Sequence, residues 1–242
     1  GNGRADVHRV LFTGFREGNQ QHRMNGFAPG LDNWIYAANG DSGGIVKSLV
    51  TGRQVNIGGH DFRFKVTGEL ETVAGQTQFG RWRDDWGNWF GNNNPNWLWH
   101  YHIPIRYLAR NQHLPVPATR RNTFSSNRLF PISPRMKRPN MPHAYGSVTS
   151  ANSASPYRGG SFLEVDPSFA RSVFISEPVH NLVHREVLEP DGVSFRGRRA
   201  PGEEKREFLA STDNWFRPTQ IKTGPDGGLY IADMYRLVIE HP

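Results

Sequence analysis

Short runs of apolar and β-branched residues, each ended by Gly, Pro, Asn or Asp, recur along the chain. These runs predict strands at residues 7–13, 34–38, 62–66, 98–103, 172–176, 182–188 and 229–233. No amphipathic helix of 12 or more residues stands out. The pattern therefore predicts an all-β fold.

Residues 118–157 interrupt this pattern with Pro, Ser, Asn and Arg and with little apolar periodicity. Such composition is typical of a long irregular connection. We therefore interpret the chain as a single segment, 1–242, in which 118–157 forms an irregular basic insertion.

Two segments of the chain repeat each other. Residues 30–38 (GLDNWIYAA) and 224–232 (GPDGGLYIA) share the form G-x-D-x-x-[IL]-Y-x-A, and Asp41 or Asp233 follows shortly after. A tight turn that leads into an apolar strand and ends in a carboxylate suits a propeller blade, where the strand end lies near a central channel. The repeat favours a β-propeller over a β-sandwich and predicts further divergent blades between its two copies.

Composition narrows the possible functions. Aromatic residues make up 12% of the chain, which is too many for a disordered protein. The chain has no Cys, which excludes a disulfide scaffold, a thiolate zinc site, a catalytic thiol and haem attachment within this chain.

Positive charge is concentrated in one stretch. The net charge is +7, and no acidic residue lies between Asp85 and Glu164. This stretch indicates either an anionic partner or a solvated basic loop. Few aromatic residues interleave with its arginines, so we do not expect a nucleic-acid partner. No run is long and apolar enough for a membrane span, so membrane attachment would come only through segments outside this sequence.

Several longer runs resemble a known family, the membrane-bound dehydrogenase-like, haem-associated proteins of planctomycetes and verrucomicrobia. Their N-terminal portion is similar to soluble glucose and sorbosone dehydrogenases. The matching runs are GNQQHRMNG (18–26), GDSGG (40–44), GQTQFGR (75–81), DDWGNWFG (84–91), EPVHNLVHR (177–185), WFRPTQI (215–221) and DMYR (233–236).

The resemblance implies a quinone-dependent oxidation of a sugar or alcohol. His22 has the family's spacing to Gly30, Asp32 and Asp41, and in those enzymes this His takes the hydroxyl proton while hydride moves to pyrroloquinoline quinone (PQQ). Arginines near the channel hold the quinone carboxylates in that family. Other positions come from local patterns: the run 81–90 has three Trp, two Arg and two Asp, which suits a sugar or a flat quinone, or an Arg–Asp pair with Trp packing between blades. Candidate cofactor-binding residues are Arg81, Arg83, Asn88, Arg217 and Gln220, and candidate substrate-binding residues are Asn25, Asp41, Trp86, His180 and Asn181.

Each candidate has a plainer interpretation. Asp41 could bind calcium or orient His22, or it could simply close a turn. Arg217, which precedes a Pro and is therefore extended, could point into the channel or cap a blade. His180 and His184 would suit zinc only on a helix, and we expect a hairpin there, so no metal site is predicted.

The resemblance further implies that the chain is a partial β-propeller, about four blades of a six-bladed one. It also implies a periplasmic or extracellular setting, with other chains completing the propeller or with a cytochrome as partner. The competing hypothesis is a non-catalytic propeller that binds glycan or organises a protein complex.

Overall fold

The computed structural model describes residues 3–111, 113, 115, 118–124, 126–136 and 145–239. The strands are β1 (Phe12–Phe15), β2 (Asn25–Pro29), β3 (Ile35–Ala38), β4 (Gly44–Ser48), β5 (Gln54–Asn56), β6 (Asp61–Phe64), β7 (Leu70–Val73), β8 (Trp82–Arg83), β9 (Trp89–Asn93), β10 (Asn96–Tyr101), β11 (Arg121–Asn122), β12 (Asn152–Pro156), β13 (Ser172–Glu177), β14 (Leu182–Asp191), β15 (Ser194–Arg198), β16 (Leu209–Ala210), β17 (Pro218–Thr223) and β18 (Leu229–Asp233). The helices are α1 (Ile105–Leu108) and three 3₁₀ turns, Gln20–His22, Pro167–Arg171 and Pro178–His180. None of the helices in these described ranges is long and apolar enough to cross a membrane.

Four antiparallel sheets follow one another along the chain in the manner of propeller blades. The first blade has the order β2-β3-β6-β7, the second β8-β9-β10-β11 and the third β12-β13-β14-β15, with β16 added to β14. The fourth consists of β17 and β18. The all-β, propeller-like fold predicted from the sequence is therefore confirmed. An accessory sheet, β1-β4-β5, arises because the β4–β5 hairpin is inserted between β3 and β6 of the first blade.

The apolar cores lie between neighbouring sheets. Trp99 and Tyr101 pack with Ala74 between the first and second blades. A second core, which includes Phe90 and Ile175, joins the second and third blades. Tyr157, Phe174, Val183 and Ile221 join the third and fourth. Because each sheet has apolar residues on both faces, each blade is stabilised by its neighbours rather than by its own fold.

The sequence repeat corresponds to one kind of turn. In the first blade the Tyr36 hydroxyl donates to Asp32 over 2.9 Å, and in the fourth the Tyr230 hydroxyl donates to Asp226 over 3.0 Å. Gly30 has no space for a side chain, because a Cβ there would lie 2.6 Å from the Tyr36 ring. The motif thus forms the hairpin turn that joins the first two strands of a blade.

Most predicted strands are present with shifts of up to three residues at their ends. Residues 7–13 are the exception, since β1 begins only at Phe12. Val7 and Val10 are 81% and 55% exposed and have no strand partner. An apolar run without a neighbouring strand gains little from extending, and this part of the prediction is wrong.

The insertion ends earlier than the sequence predicted. Residues 152–156, assigned to it, form β12, the innermost strand of the third blade. Ser153, Ala154 and Ser155 are small, so the strand has no strong apolar signal, yet all three are buried. Elsewhere in the insertion β11 and a bridge between Arg128 and Ser147 are formed. Residues 137–144 lie outside the described residues.

The first strands of the blades, β2, β8, β12 and β17, run side by side in the same direction. Asn25, at the start of β2, accepts a hydrogen bond from Gly80, just before β8. At the other end of the same strands, Arg83 Nε donates to the Pro29 carbonyl. We call these the His22 end, where the inner strands begin, and the Trp86 end, where they finish.

Candidate functional site

His22 lies at the start of the inner strands, on a 3₁₀ turn that immediately precedes β2. The turn forms because the Asn19 side chain accepts a hydrogen bond from the Gln21 amide. The carbonyl of His22 accepts hydrogen bonds from the amide and the hydroxyl of Ser42, at 3.2 and 2.6 Å. These contacts fix the backbone of His22 while leaving its side chain 25% exposed.

The His22 ring contacts the Gln78 side-chain amide, whose nitrogen lies within 3.3 Å of both ring nitrogens, and the Asp41 carboxylate. Gln78 Nε2 lies 2.7 Å from His22 Nε2, and Gln78 Oε1 accepts a hydrogen bond from the Asn94 amide. That second bond fixes the side-chain amide, so its nitrogen donates to Nε2 of the ring. The ring proton then lies on Nδ1, which is 3.5 Å from the Asp41 carboxylate.

Asp41 is held close to His22 by an unusual backbone. Its φ is +76°, in the left-handed region, and it follows Gly40, whose Cβ would lie 2.6 Å from the Arg23 carbonyl carbon. Partial burial raises the pKa of Asp41, and the nearby His22 partly offsets this effect. A residue in this conformation stores strain, which is common at ligand sites and tight turns alike.

Asn25 joins the His22 turn to the second blade. Its side-chain nitrogen donates to the carbonyls of Arg23 and Gln78, and its oxygen accepts from the Gly80 amide. Three of its hydrogen-bonding positions are therefore used within the protein. Asn25 positions Gln78 beside His22, and it has little capacity left for a ligand.

Arg81 lies in the core between the first two blades and is 2% exposed. Its Nη1 is 2.9 Å from the Asp61 carboxylate, and its guanidinium lies over the Tyr101 ring at 4.2 Å. The fully buried Asp61 also accepts from the Thr77 amide and from the Asn39 amide. Arg81 thus neutralises a buried carboxylate rather than facing His22.

Arg217 is 1% exposed and caps backbone groups. Its guanidinium donates to the carbonyl groups of Pro178, Val179, Arg236 and Leu237. Its amide donates to Asp233, the carboxylate that follows the fourth-blade repeat. Of the two roles that the sequence left open for Arg217, the contacts match the cap.

His180 and Asn181 lie near Arg217, in the turn between β13 and β14. His180 Nδ1 is 3.0 Å from Glu177, and its Nε2 accepts from the Gly146 amide. Asn181 has a φ of +60° and donates to the carbonyls of Asn214 and Phe216. Both are at most 4% exposed, so they are part of the packed turn. The hairpin expected here in place of a zinc helix is present.

Three other candidates lie at the Trp86 end, away from His22. Arg83 donates to the Pro29 and Asp84 carbonyls, and Asn88 donates to the Asp84 carboxylate. Trp86 is 76% exposed on the same β8–β9 turn. Gln220 is exposed on β17. The structure therefore brings His22, Asn25 and Asp41 together, and separates Arg83, Asn88 and Trp86 from them.

Gln78 and Glu177 make important contacts, and neither was among the site residues nominated from the sequence. Gln78 lies in the run 75–81 that carries the resemblance, so a signal was present. Glu177 is fully buried and accepts from the amides of Thr149, Ser150 and His180. Burial opposes its charge, but these bonds and the His180 ring hold the pKa of Glu177 below its usual value.

The three nominated arginines do not form the carboxylate clamp for PQQ that the resemblance implied. The carboxylates of that quinone need free guanidinium groups, and the three nominated arginines are bonded to the protein's own oxygens or lie at the other end. Within the described ranges no group of three His, Asp or Glu side chains could hold a metal ion. Asp41 therefore offers a calcium ion a single carboxylate.

Comparison with known proteins places the whole chain in one family. The family model described as "Domain of unknown function (DUF7133)" matches residues 1–242, and the chain belongs to that family. No curated protein matches the chain. The crystal structure of a catalytically inactive virginiamycin B lyase from Staphylococcus aureus with quinupristin is similar at a TM-score of 0.37 and 10% identity, covering 93% of this chain and 68% of that one.

Proposed function

We propose that this member of the DUF7133 family is a binding propeller that holds a hydroxylated small molecule, of the sugar or alcohol class, at the His22 end. The observation that carries the proposal is the partly exposed pair of His22 and Asp41, whose side chains are 25% and 35% exposed. These two polar side chains lie where the inner strands begin, and propellers present loops at the ends of their strands.

The chemistry of the pair suits hydroxyl groups. A sugar hydroxyl both donates and accepts hydrogen bonds, and the imidazole and the carboxylate together offer a partner for each role. Gln78, which donates to His22 Nε2, keeps the ring in one tautomer and would yield this position to an incoming hydroxyl. Recognition of hydroxyls by a small set of planar polar side chains needs no cofactor.

The arginines favour binding over quinone-dependent oxidation. Arg81 pairs with Asp61, and Arg217 donates hydrogen bonds to backbone carbonyls. Neither guanidinium is therefore available for the carboxylates of a quinone. The proposal therefore contains no oxidation step by this chain alone. A periplasmic or extracellular location and the completion of the propeller by other chains stay predictions.

A second candidate function is the dehydrogenase-like activity that the resemblance implies. One observation favours it: Asp41 lies beside Nδ1 of His22, which is the side from which a carboxylate orients an imidazole base. In that case His22 Nε2 would accept the hydroxyl proton, and the arginine clamp would have to come from residues other than Arg81, Arg83 and Arg217.

Calorimetry with a panel of neutral sugars and alcohols, with and without PQQ and calcium, tests the proposal. Binding without the quinone, weakened at least about tenfold by His22→Ala, is the expected result, since a lost hydrogen-bonded pair of this kind is worth roughly one to two kcal/mol. His8→Ala, which removes an exposed histidine outside the site, is the matched control. Binding that needs the quinone, together with dye reduction, would support the second candidate instead.

A further inference from the structure

The Trp86 end carries a cavity, which is separate from the His22 end. This cleft has a volume of about 210 Å³ and opens between the second and third blades. Its walls are mostly aromatic and apolar, and two arginines lie at its edge. The side chains that matter here are Trp86, Asn88, Phe90, Tyr157, Arg158 and Arg171.

The turn between β8 and β9 holds Trp86 out beside this cleft. Asp84 is 9% exposed. Its carboxylate accepts hydrogen bonds from the amides of Trp86 and Asn88 and from the Asn88 side chain. Gly87, with a φ of +84°, completes the turn. The large indole is 76% exposed, although the turn itself is firmly bonded. A fixed, exposed aromatic ring is a prepared stacking surface for a ligand.

Positive charge lies beside the indole. The Arg158 guanidinium is 5.6 Å from the centre of the Trp86 ring and also pairs with Asp85. Arg171 ends the 3₁₀ turn Pro167–Arg171 and lines the cleft. The pKa of the neighbouring Glu189 is lowered by its ion pair with Arg198 and, less strongly, by Arg171, and Glu189 is bonded to Arg198 at 2.7 Å. One cation at the cleft is thus available to an anion, while Asp84 is committed to its turn.

We propose that this cleft binds one acidic sugar residue, a hexuronic acid, with the apolar face of its ring on Trp86 and its carboxylate on Arg171. The volume suits one ring rather than an extended ligand. A pyranose ring presents C–H groups to an aromatic face, and a carboxylate matches a guanidinium. The site is separate from the His22 end and does not depend on the function proposed above.

The test compares galacturonate with its methyl ester, in which one methyl group replaces the negative charge, by calorimetry on the whole chain. We expect the acid to bind at least about fivefold more tightly than the ester, because only the acid can pair with Arg171. Trp86→Ala should weaken binding of the acid about tenfold, and Arg171→Ala should remove the preference for the acid over the ester.

Matched controls separate the cleft from general effects. Trp215→Ala removes another exposed indole, 45% accessible, at the His22 end, and Arg53→Ala removes an exposed cation in the β4–β5 turn. Both should leave affinity for the acid within about twofold, as should His22→Ala. Equal affinity for acid and ester, no binding of either, or the same loss in Trp215→Ala would overturn the proposal.

Discussion

His184 and His22 are two of the histidines with carboxylate partners, and their surroundings differ completely. His184 is buried, with Nε2 2.9 Å from Glu186, Nδ1 2.8 Å from Glu207 and its ring stacked on Trp97 at 4.3 Å. His22 has one carboxylate at 3.5 Å and is partly open to solvent. Both hydrogen-bonding positions of His184 are occupied by acids inside the protein, so no ligand can reach it.

The difference in burial distinguishes a histidine that holds segments of the fold together from one that solvent can reach. Glu207 also pairs with Arg199 and accepts from the Phe130 amide, so the His184 cluster ties β14 to two distant segments. Burial opposes the charged imidazole, but the two carboxylates outweigh it and raise the pKa of His184. The enclosed cluster ties segments of the third blade together, while the pair at His22 is partly open to solvent.

The largest expected effect comes from removing the enclosed histidine. His184→Ala leaves two buried carboxylates without their shared partner, and we expect the free energy of unfolding to fall by about 3–5 kcal/mol. His22→Ala should cost less than about 1 kcal/mol, because its surroundings are partly solvated. Denaturant unfolding measures both values, and equal losses would break the comparison.

Arg81 should behave like His184 rather than like His22. Arg81→Met leaves the fully buried Asp61 without its counter-ion, and we expect a loss of about 3 kcal/mol in the free energy of unfolding. Arg83→Met removes only hydrogen bonds to two backbone carbonyls and should cost about 1 kcal/mol. A stable Arg81→Met variant that fails to bind ligand would show that Arg81 belongs to the site after all.

The enclosed cluster should also give a pH signature. The pKa of His184 is raised in the folded chain, so its contribution is fully present below the unfolded value of about 6.5 and is lost as pH rises through the folded value. The difference in unfolding free energy between wild type and His184→Gln should therefore shrink as the pH rises above about 6.5. The same measurement on His22→Gln is the control, and a difference that grows with pH would contradict the account.

The smallest expected effect concerns the repeated turn, of which one copy has a buried tyrosine and the other an exposed one. Tyr36 is 7% exposed and its hydroxyl meets both Asp32 and Arg63, whereas Tyr230 is 58% exposed and meets only Asp226. We expect Tyr36→Phe to cost about 1 kcal/mol and Tyr230→Phe a few tenths. Thermal unfolding distinguishes them, and the reverse order would show that burial does not set the value of this bond.

The sequence contained much of the fold because the blade turn is a local feature. The G-x-D turn and the following strand could be read from residues 30–38 and 224–232, since the Asp–Tyr bond closes within four residues. The strand β12 could not be predicted in this way, because Ser153, Ala154 and Ser155 show no apolar periodicity. Their small side chains suit the close approach of the inner strands. A Cβ on Gly80 would lie 3.5 Å from the Ser153 Cα.

The candidate site was only partly predictable for a similar reason. His22, Asn25 and Asp41 are close in sequence and were nominated together, and the structure brings them together. The role of Arg81 depends on Asp61, which lies 20 residues away on another blade, so charge and residue type alone suggested a ligand. Arg217 likewise bonds to backbone carbonyls that leave no mark on the side-chain pattern.

Calorimetric titration of the neutral sugar panel into wild type and into His22→Ala, with no quinone or calcium present, tests the central claim most directly. The account predicts that the wild-type chain binds a panel member and that the variant, still folded, binds it at least about tenfold more weakly. Equal binding by the two proteins, or binding that begins only after PQQ and calcium are added, would contradict it.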